Sequence, residues 1–218
     1  MTSAPPALVR ALTAAASALE GSADELNRLD GYAGDGDLGI TMAEAAHAVK
    51  EALATNQDIG PAQLLSACGA AIARRAPSTS GTLVATGFLR AAKVVADSDG
   101  QGAEALERAF AAALGGIQAR GKAAVGDRTL VDGLDAVCTS LRQSLVPGHG
   151  LGQALYLAAQ AASVAADKTV DMEPKVGRAS WVPQRAIGHP DAGCAMLAIA
   201  LKAAAAAVNA TGPGPAQA

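Results

Sequence analysis

Aromatic residues are almost missing: two Phe, two Tyr and one Trp make up 2% of the 218 residues. With so few rings, and none interleaved with cations, base stacking has no platform. A basic excess is missing as well. Seventeen Lys and Arg stand against 20 Asp and Glu, a net charge of −3, which argues against a nucleic-acid partner. Cysteines number three, Cys68, Cys138 and Cys194. They are odd in number and far apart on apolar segments, so buried thiols in a reducing compartment are expected, not a disulfide or zinc framework. His47, His149 and His189 are isolated by spacing, and none is paired with a Ser or Cys for nucleophilic catalysis. The start, Met1-Thr2-Ser3-Ala4-Pro5-Pro6, lacks the charged and apolar regions of a signal peptide. The most apolar stretch, 192–208, is interrupted by Lys202 and falls short of the ~20 residues that span a bilayer. The expectation is a cytoplasmic protein with no membrane partner. No Gly-x-x-x-x-Gly-Lys-Ser/Thr occurs, so any nucleotide site has to be built from helix ends.

Half of the residues are hydrophobic, and with few aromatics the core must consist of Ala, Leu, Val and Ile. Ala is the best helix former and lets helices approach closely. An all-α single domain over 1–210 is expected, with a tail at 211–218 whose Gly-Pro composition is that of disorder. Helical periodicity predicts segments at about 6–19, 38–54, 61–75, 81–96, 103–120, 129–145, 150–167 and 191–210. Ser22-Ala23-Asp24-Glu25 has the pattern of a capping box for a short turn. Asp97 to Gly102 reads as a loop. These eight helices have short connections, which make neighbours antiparallel. The exception is 168–190, a long irregular stretch of the kind that is often functional.

The densest chemistry lies in Leu29-Asp30-Gly31-Tyr32-Ala33-Gly34-Asp35-Gly36-Asp37-Leu38-Gly39. Two carboxylates ~5 Å apart repel by ~3 kcal/mol at an effective dielectric near 20, so a tight loop holding three of them calls for a cation. Oxygen-only ligands favour a hard ion, Mg²⁺ before Ca²⁺, and the EF-hand pattern is absent. The plain alternative is a solvated turn in which Asp37 caps the following helix. That helix, starting at Leu38, is expected to aim its free N–H groups at anions near the metal. Ser78-Thr79-Ser80-Gly81 and Gly126-Asp127-Arg128-Thr129 each precede a helix and suit either phosphate binding or ordinary capping. Arg178 offers forked donors for phosphate, although a surface arginine is the commoner case. His189 lies beside Asp191.

Taken in order, Gly34 to Gly39, Ser78 to Gly81, Arg120-Gly121-Lys122, Gly126 to Thr129, Gly177-Arg178-Ala179-Ser180 and Gly188-His189-Pro190-Asp191-Ala192-Gly193 resemble the nucleotide-binding L subunit, or the equivalent C-terminal domain, of dihydroxyacetone kinases. The resemblance implies an antiparallel eight-helix barrel. It implies that Asp30, Asp35 and Asp37 hold two Mg²⁺ ions that bridge the phosphates of ADP or ATP. It also implies a nucleotide site made of Leu38, Gly39, Ile40, Thr41, Thr79, Ser80, Gly121, Leu130, Arg178, Asp191, Ala192 and Gly193. Leu38, Thr79, Ala192 and Cys194 depart from the residues usual in the family. The function implied is that of a kinase subunit in glycerol metabolism, donating phosphate to a small ketose held by a separate K-type subunit. A phosphotransferase-system phosphocarrier that recharges bound ADP is a further partner in part of the family, and a homodimer is also compatible. The alternative is a non-catalytic module that signals its nucleotide state to a transcription regulator. The related fatty-acid kinase group shares the aspartate loop but belongs to larger chains.

Overall fold

The computed structural model describes residues 3–97, 102–146 and 149–210. The expected disordered tail at 211–218 lies outside the described residues, as does most of the 97–102 loop. Among the described residues there are ten α-helices and no strand. They are α1 (Pro6–Gly21), α2 (Ala23–Asp30), α3 (Leu38–Thr55), α4 (Pro61–Arg75), α5 (Thr79–Ala96), α6 (Ala103–Gly121), α7 (Leu130–Gln143), α8 (Leu151–Lys168), α9 (Pro183–Ala186) and α10 (Ala192–Asn209). The eight long ones match the expected segments to within two residues at most boundaries. Pro61 at the start of α4 shows why: its fixed φ suits a first turn and its missing N–H is not needed there.

Two expectations are corrected. Residues 23–30 form a full helix, and Ser22 makes no side-chain capping bond. What holds α2 is tertiary: Leu26 and Leu29, three apart, are both buried on one face. Residues 168–190 are not irregular throughout, because short 3-10 turns at Thr169–Asp171 and Arg178–Trp181 precede α9.

The long helices close a ring. α1 packs on α3, α3 on α4, and so on through α8, which packs on α10; α10 returns to α1. Short connections make ring neighbours antiparallel, so α3, α5, α7 and α10 all start at one end. A shared cluster supports this: Leu38 and Met42 of α3 meet Ala192 and Met196 of α10, with Val84 and Leu130 against them. Both described chain ends lie at the opposite end. The Ala4 N–H donates to the Ile59 carbonyl after α3, and Asn209 donates to Gly152 at the start of α8.

The interior is built largely from alanine, including Ala154, Ala158 and Ala162 around Val137, Cys138 and Leu141. All three cysteines are free and buried, and burial pushes Cys68 and Cys138 up to about 11. α10 is long and apolar enough to cross a membrane by length and composition; here it packs against α1, α7 and α8.

Close packing leaves some positions with no room for a methyl group. A Cβ at Gly39 would overlap the Ala23 carbonyl, and one at Gly81 would overlap that of Ala76. At Gly115, inside α6, the same atom meets nothing. Opposite outcomes follow in urea unfolding. Gly115→Ala is expected to stabilise by about 0.5–1 kcal/mol, whereas Gly39→Ala is expected to destabilise by about 1–3 kcal/mol through backbone displacement.

Candidate metal and nucleotide site

Asp30 ends α2, and the chain turns sharply to bring Asp35 and Asp37 back to it. Gly36 makes the turn at φ +77°, and Gly34 lies so close to the Asp30 carboxylate that a side chain there would collide with it. The half-buried Asp30 carboxylate accepts from the N–H groups of Gly36 (2.8 Å) and Asp37 (3.2 Å). Its orientation is thereby fixed from within the loop. One oxygen from each of Asp30, Asp35 and Asp37 lies within 4.8 Å of the others, and Asp35 and Asp37 are exposed. Three hard carboxylate donors meeting at an open loop suit Mg²⁺, which keeps free positions for water or phosphate oxygens.

The start of α3 differs from expectation. The N–H groups of Gly39 and Ile40 are taken by Asn27 Oδ1 at 2.7 and 3.2 Å. They are therefore not free for a phosphate. The cause is the contact of α2 with α3, which carries Asn27 over the helix end. Leu38, Gly39 and Thr41 are buried, while Ile40 is 60% exposed.

Segment 177–191 runs across the loop as a strap. Arg178 Nη1 donates to Asp35 Oδ2, Arg185 donates to the Gly31 carbonyl at 3.4 Å, and the His189 ring stacks on Tyr32 with centroids 3.4 Å apart. Tyr32 is itself held by Arg28, which donates to its hydroxyl at 2.7 Å. The strap ends at Asp191, the N-cap of α10, whose carboxylate accepts from Cys194 N–H at 2.8 Å. Ala192 and Gly193 follow in the first turn, where a Cβ on Gly193 would stand 3.2 Å from the Leu130 Cβ of α7. Cys194 Sγ reaches the Thr129 carbonyl at 3.1 Å, joining the two helix starts.

The remaining candidates are placed by helix direction alone. Thr79 and Ser80 open α5 behind Ser78, which caps Gly81 N–H at 3.0 Å. Gly121 closes α6, beside Leu83 of α5. Among the described residues no hydrogen bond ties these three to the aspartate loop. Thr129 and Asp132 form a capping box on α7, and Asp132 also accepts from Gly126 N–H at 2.6 Å.

Asn27 and Thr169 were not found from spacing, and Tyr32 and Arg128 appeared there only as members of the 29–39 and 126–129 segments, without a role of their own. Arg128 is 5% exposed and donates to the carbonyls of Thr169, Ala186 and His189 at 2.7–2.9 Å. Burial lowers its pKa, opposed by the Asp191 carboxylate. Burial likewise pushes Asp191 up to about 6, against the pull of the Cys194 N–H and of Arg128.

The DAK2 domain family model matches residues 32–206. The D-erythrulose kinase of Mycolicibacterium smegmatis is 32% identical over 200 residues, 91% of this chain but 34% of that protein. The chain thus spans about a third of that relative's length. The ADP-binding subunit DhaL of the PEP-dependent dihydroxyacetone kinase of Escherichia coli is 33% identical over 202 residues, covering 89% of this chain and 96% of that one. The crystal structure of the dihydroxyacetone kinase from C. freundii in complex with AMP-PNP and Mg²⁺ superimposes with a TM-score of 0.71 at 28% identity, covering 94% of this chain and 34% of that one.

The raised Asp191 pKa carries a sign. Its stabilising contribution is fully present below the unfolded value of 3.8 and is lost as the pH rises through about 6. In thermal melts at about pH 4.5 and about pH 7.5, Asp191→Asn is therefore expected to gain on the parent as the pH rises. Asp191→Ala loses the cap at both values, by about 1 kcal/mol.

Proposed function

We propose that this chain, which belongs to the DAK2 domain family, is the Mg-nucleotide-binding, phosphoryl-donating subunit of a dihydroxyacetone-type kinase, acting on a small ketose held by a separate K-type subunit. The observation that carries this reading is the cluster of Asp30, Asp35 and Asp37 at the end of the ring where α3, α5, α7 and α10 begin. Helix starts favour anions, and carboxylates favour hard cations. Together they suit a metal-bound polyphosphate and little else.

Asp30, Asp35 and Asp37 would hold the metal, in our reading two Mg²⁺ ions. When bound, such ions neutralise charge on a transferring phosphoryl group and align it for attack. The chain's own residues do the rest. Asp30 is locked by two N–H bonds and gives the site a fixed edge. Arg178 is kept beside Asp35, where its forked donors meet any phosphate bound at the loop. Leu38, Gly39, Ile40 and Thr41 line the start of α3, and Leu130 with Asp191, Ala192 and Gly193 line those of α7 and α10. Because Asn27 occupies the Gly39 and Ile40 N–H groups, the α3 contribution is surface and field, not direct donation from those two amides. Thr79, Ser80 and Gly121 complete the far wall.

A partner chain is the reading that follows the Escherichia coli relative, which is named as a subunit. The donor is either exchangeable ATP or ADP kept in place and recharged by a phosphotransferase-system phosphocarrier. Retention of ADP through exhaustive dialysis selects the second.

Calorimetry decides the main point. The chain is expected to bind ADP only with Mg²⁺, and Asp35→Ala or Asp37→Ala to lose that binding with an unchanged circular dichroism spectrum. Alone, the chain is expected to phosphorylate no ketose, and activity should appear when a K-type subunit is added. Vigorous turnover without a partner contradicts the subunit assignment.

A further inference from the structure

We infer that Arg128 is a positioning residue for this site: its guanidinium fixes the 169–191 segment and thereby sets Arg178, His189 and Asp191 against the aspartate loop. The nucleotide part of this inference rests on the function proposed above.

Between α8 and α10 the chain has only single turns of helix, so its backbone carbonyls need donors from elsewhere. Three of them, on Thr169, Ala186 and His189, converge on Arg128. One is drawn from the beginning of the segment and two, three residues apart, from near its end. One planar side chain with five donors in a fixed fork can serve all three; a lysine ammonium offers a single point. The backbone at Arg128 is left-handed, at φ +60°. That conformation is unfavourable for any residue with a side chain, and here the fold holds it in order to turn the guanidinium inward.

Each clasped carbonyl leads to a group at the site. Thr169 also accepts the Asp191 N–H on its hydroxyl at 2.7 Å, which fixes the cap of α10. His189 carries the ring stacked on Tyr32. Ala186 ends α9, and Arg185 beside it reaches Gly31. A second tie, from Lys175 N–H to the Asp127 carbonyl at 3.2 Å, anchors the other arm of the segment to the same turn before α7. Arg178 lies between these two anchors. Arg128 itself touches neither the aspartates nor, in this reading, the nucleotide.

The test uses Arg128→Met, Arg128→Lys and Arg178→Ala, singly and combined, with Leu141→Ala as a control that loosens the core away from the site. Trp181, the only tryptophan, lies in the segment itself and is 79% exposed. Its fluorescence anisotropy therefore reports on the segment without any ligand. Arg128→Met is expected to lower the anisotropy and to weaken Mg-ADP binding about tenfold or more, with Arg128→Lys intermediate and Leu141→Ala altering neither. Because Arg128 acts in part through Arg178, Arg128→Met combined with Arg178→Ala should bind better than the product of the two single losses predicts. Unchanged anisotropy and affinity in folded Arg128→Lys and Arg128→Met overturns the inference. So does a double variant whose losses multiply. If the parent chain binds no Mg-ADP, the proposed function fails, while the anisotropy still decides whether Arg128 fixes the segment.

Discussion

An antiparallel ring of helices closes without a mismatch only when the number of helices is even. Eight long helices meet that condition here, and the rest of the structure follows from it. With directions alternating around the ring, each end gathers four helix starts interleaved with four helix finishes. The positive ends of α3, α5, α7 and α10 therefore share one surface. The acidic loop stands in the connection that enters α3, at that same end. One of its three negative charges, on Asp35, is paired there with Arg178, without any strongly basic surface elsewhere. A net charge near zero is thus compatible with a concentrated anion and cation site.

Alanine makes the closure tight. Where α2 crosses α3, contact is so close that Gly39 has no alternative, and the approach lets Asn27 cap α3 from a neighbouring helix. The same approach removes two amides from the set available to a phosphate. Packing and binding therefore compete for the same N–H groups at this helix end. α5 and α10 are capped by their own Ser78 and Asp191, a local solution that ties up fewer donors.

What could be read beforehand was local in character. The ends of α4 were legible because Pro61 and Pro77 mark them, and the aspartate cluster because Asp30, Asp35 and Asp37 are close in sequence. α2 was not legible: at eight residues it is too short for periodicity, and it exists because Leu26 and Leu29 find a core. Asn27 and Thr169, and the role of Arg128 within its motif, were missed for a related reason. The partners of Arg128 lie 41 to 61 residues away, and the Arg178–Asp35 pair spans 143. No spacing rule reaches that far. The resemblance supplied Arg178 but neither its contact with Asp35 nor the segment that holds it.

The two described ends of the chain, anchored at Ile59 and at Gly152, share the rim remote from the aspartates. Chain that runs on from Ala4 or Asn209 departs from the back of the ring. To reach the front it has to travel the length of a helix such as α10, whose 18 residues at 1.5 Å each amount to ~27 Å. Any segment leaving Ala4 or Asn209 that reaches less far than that leaves the mouth open to visitors.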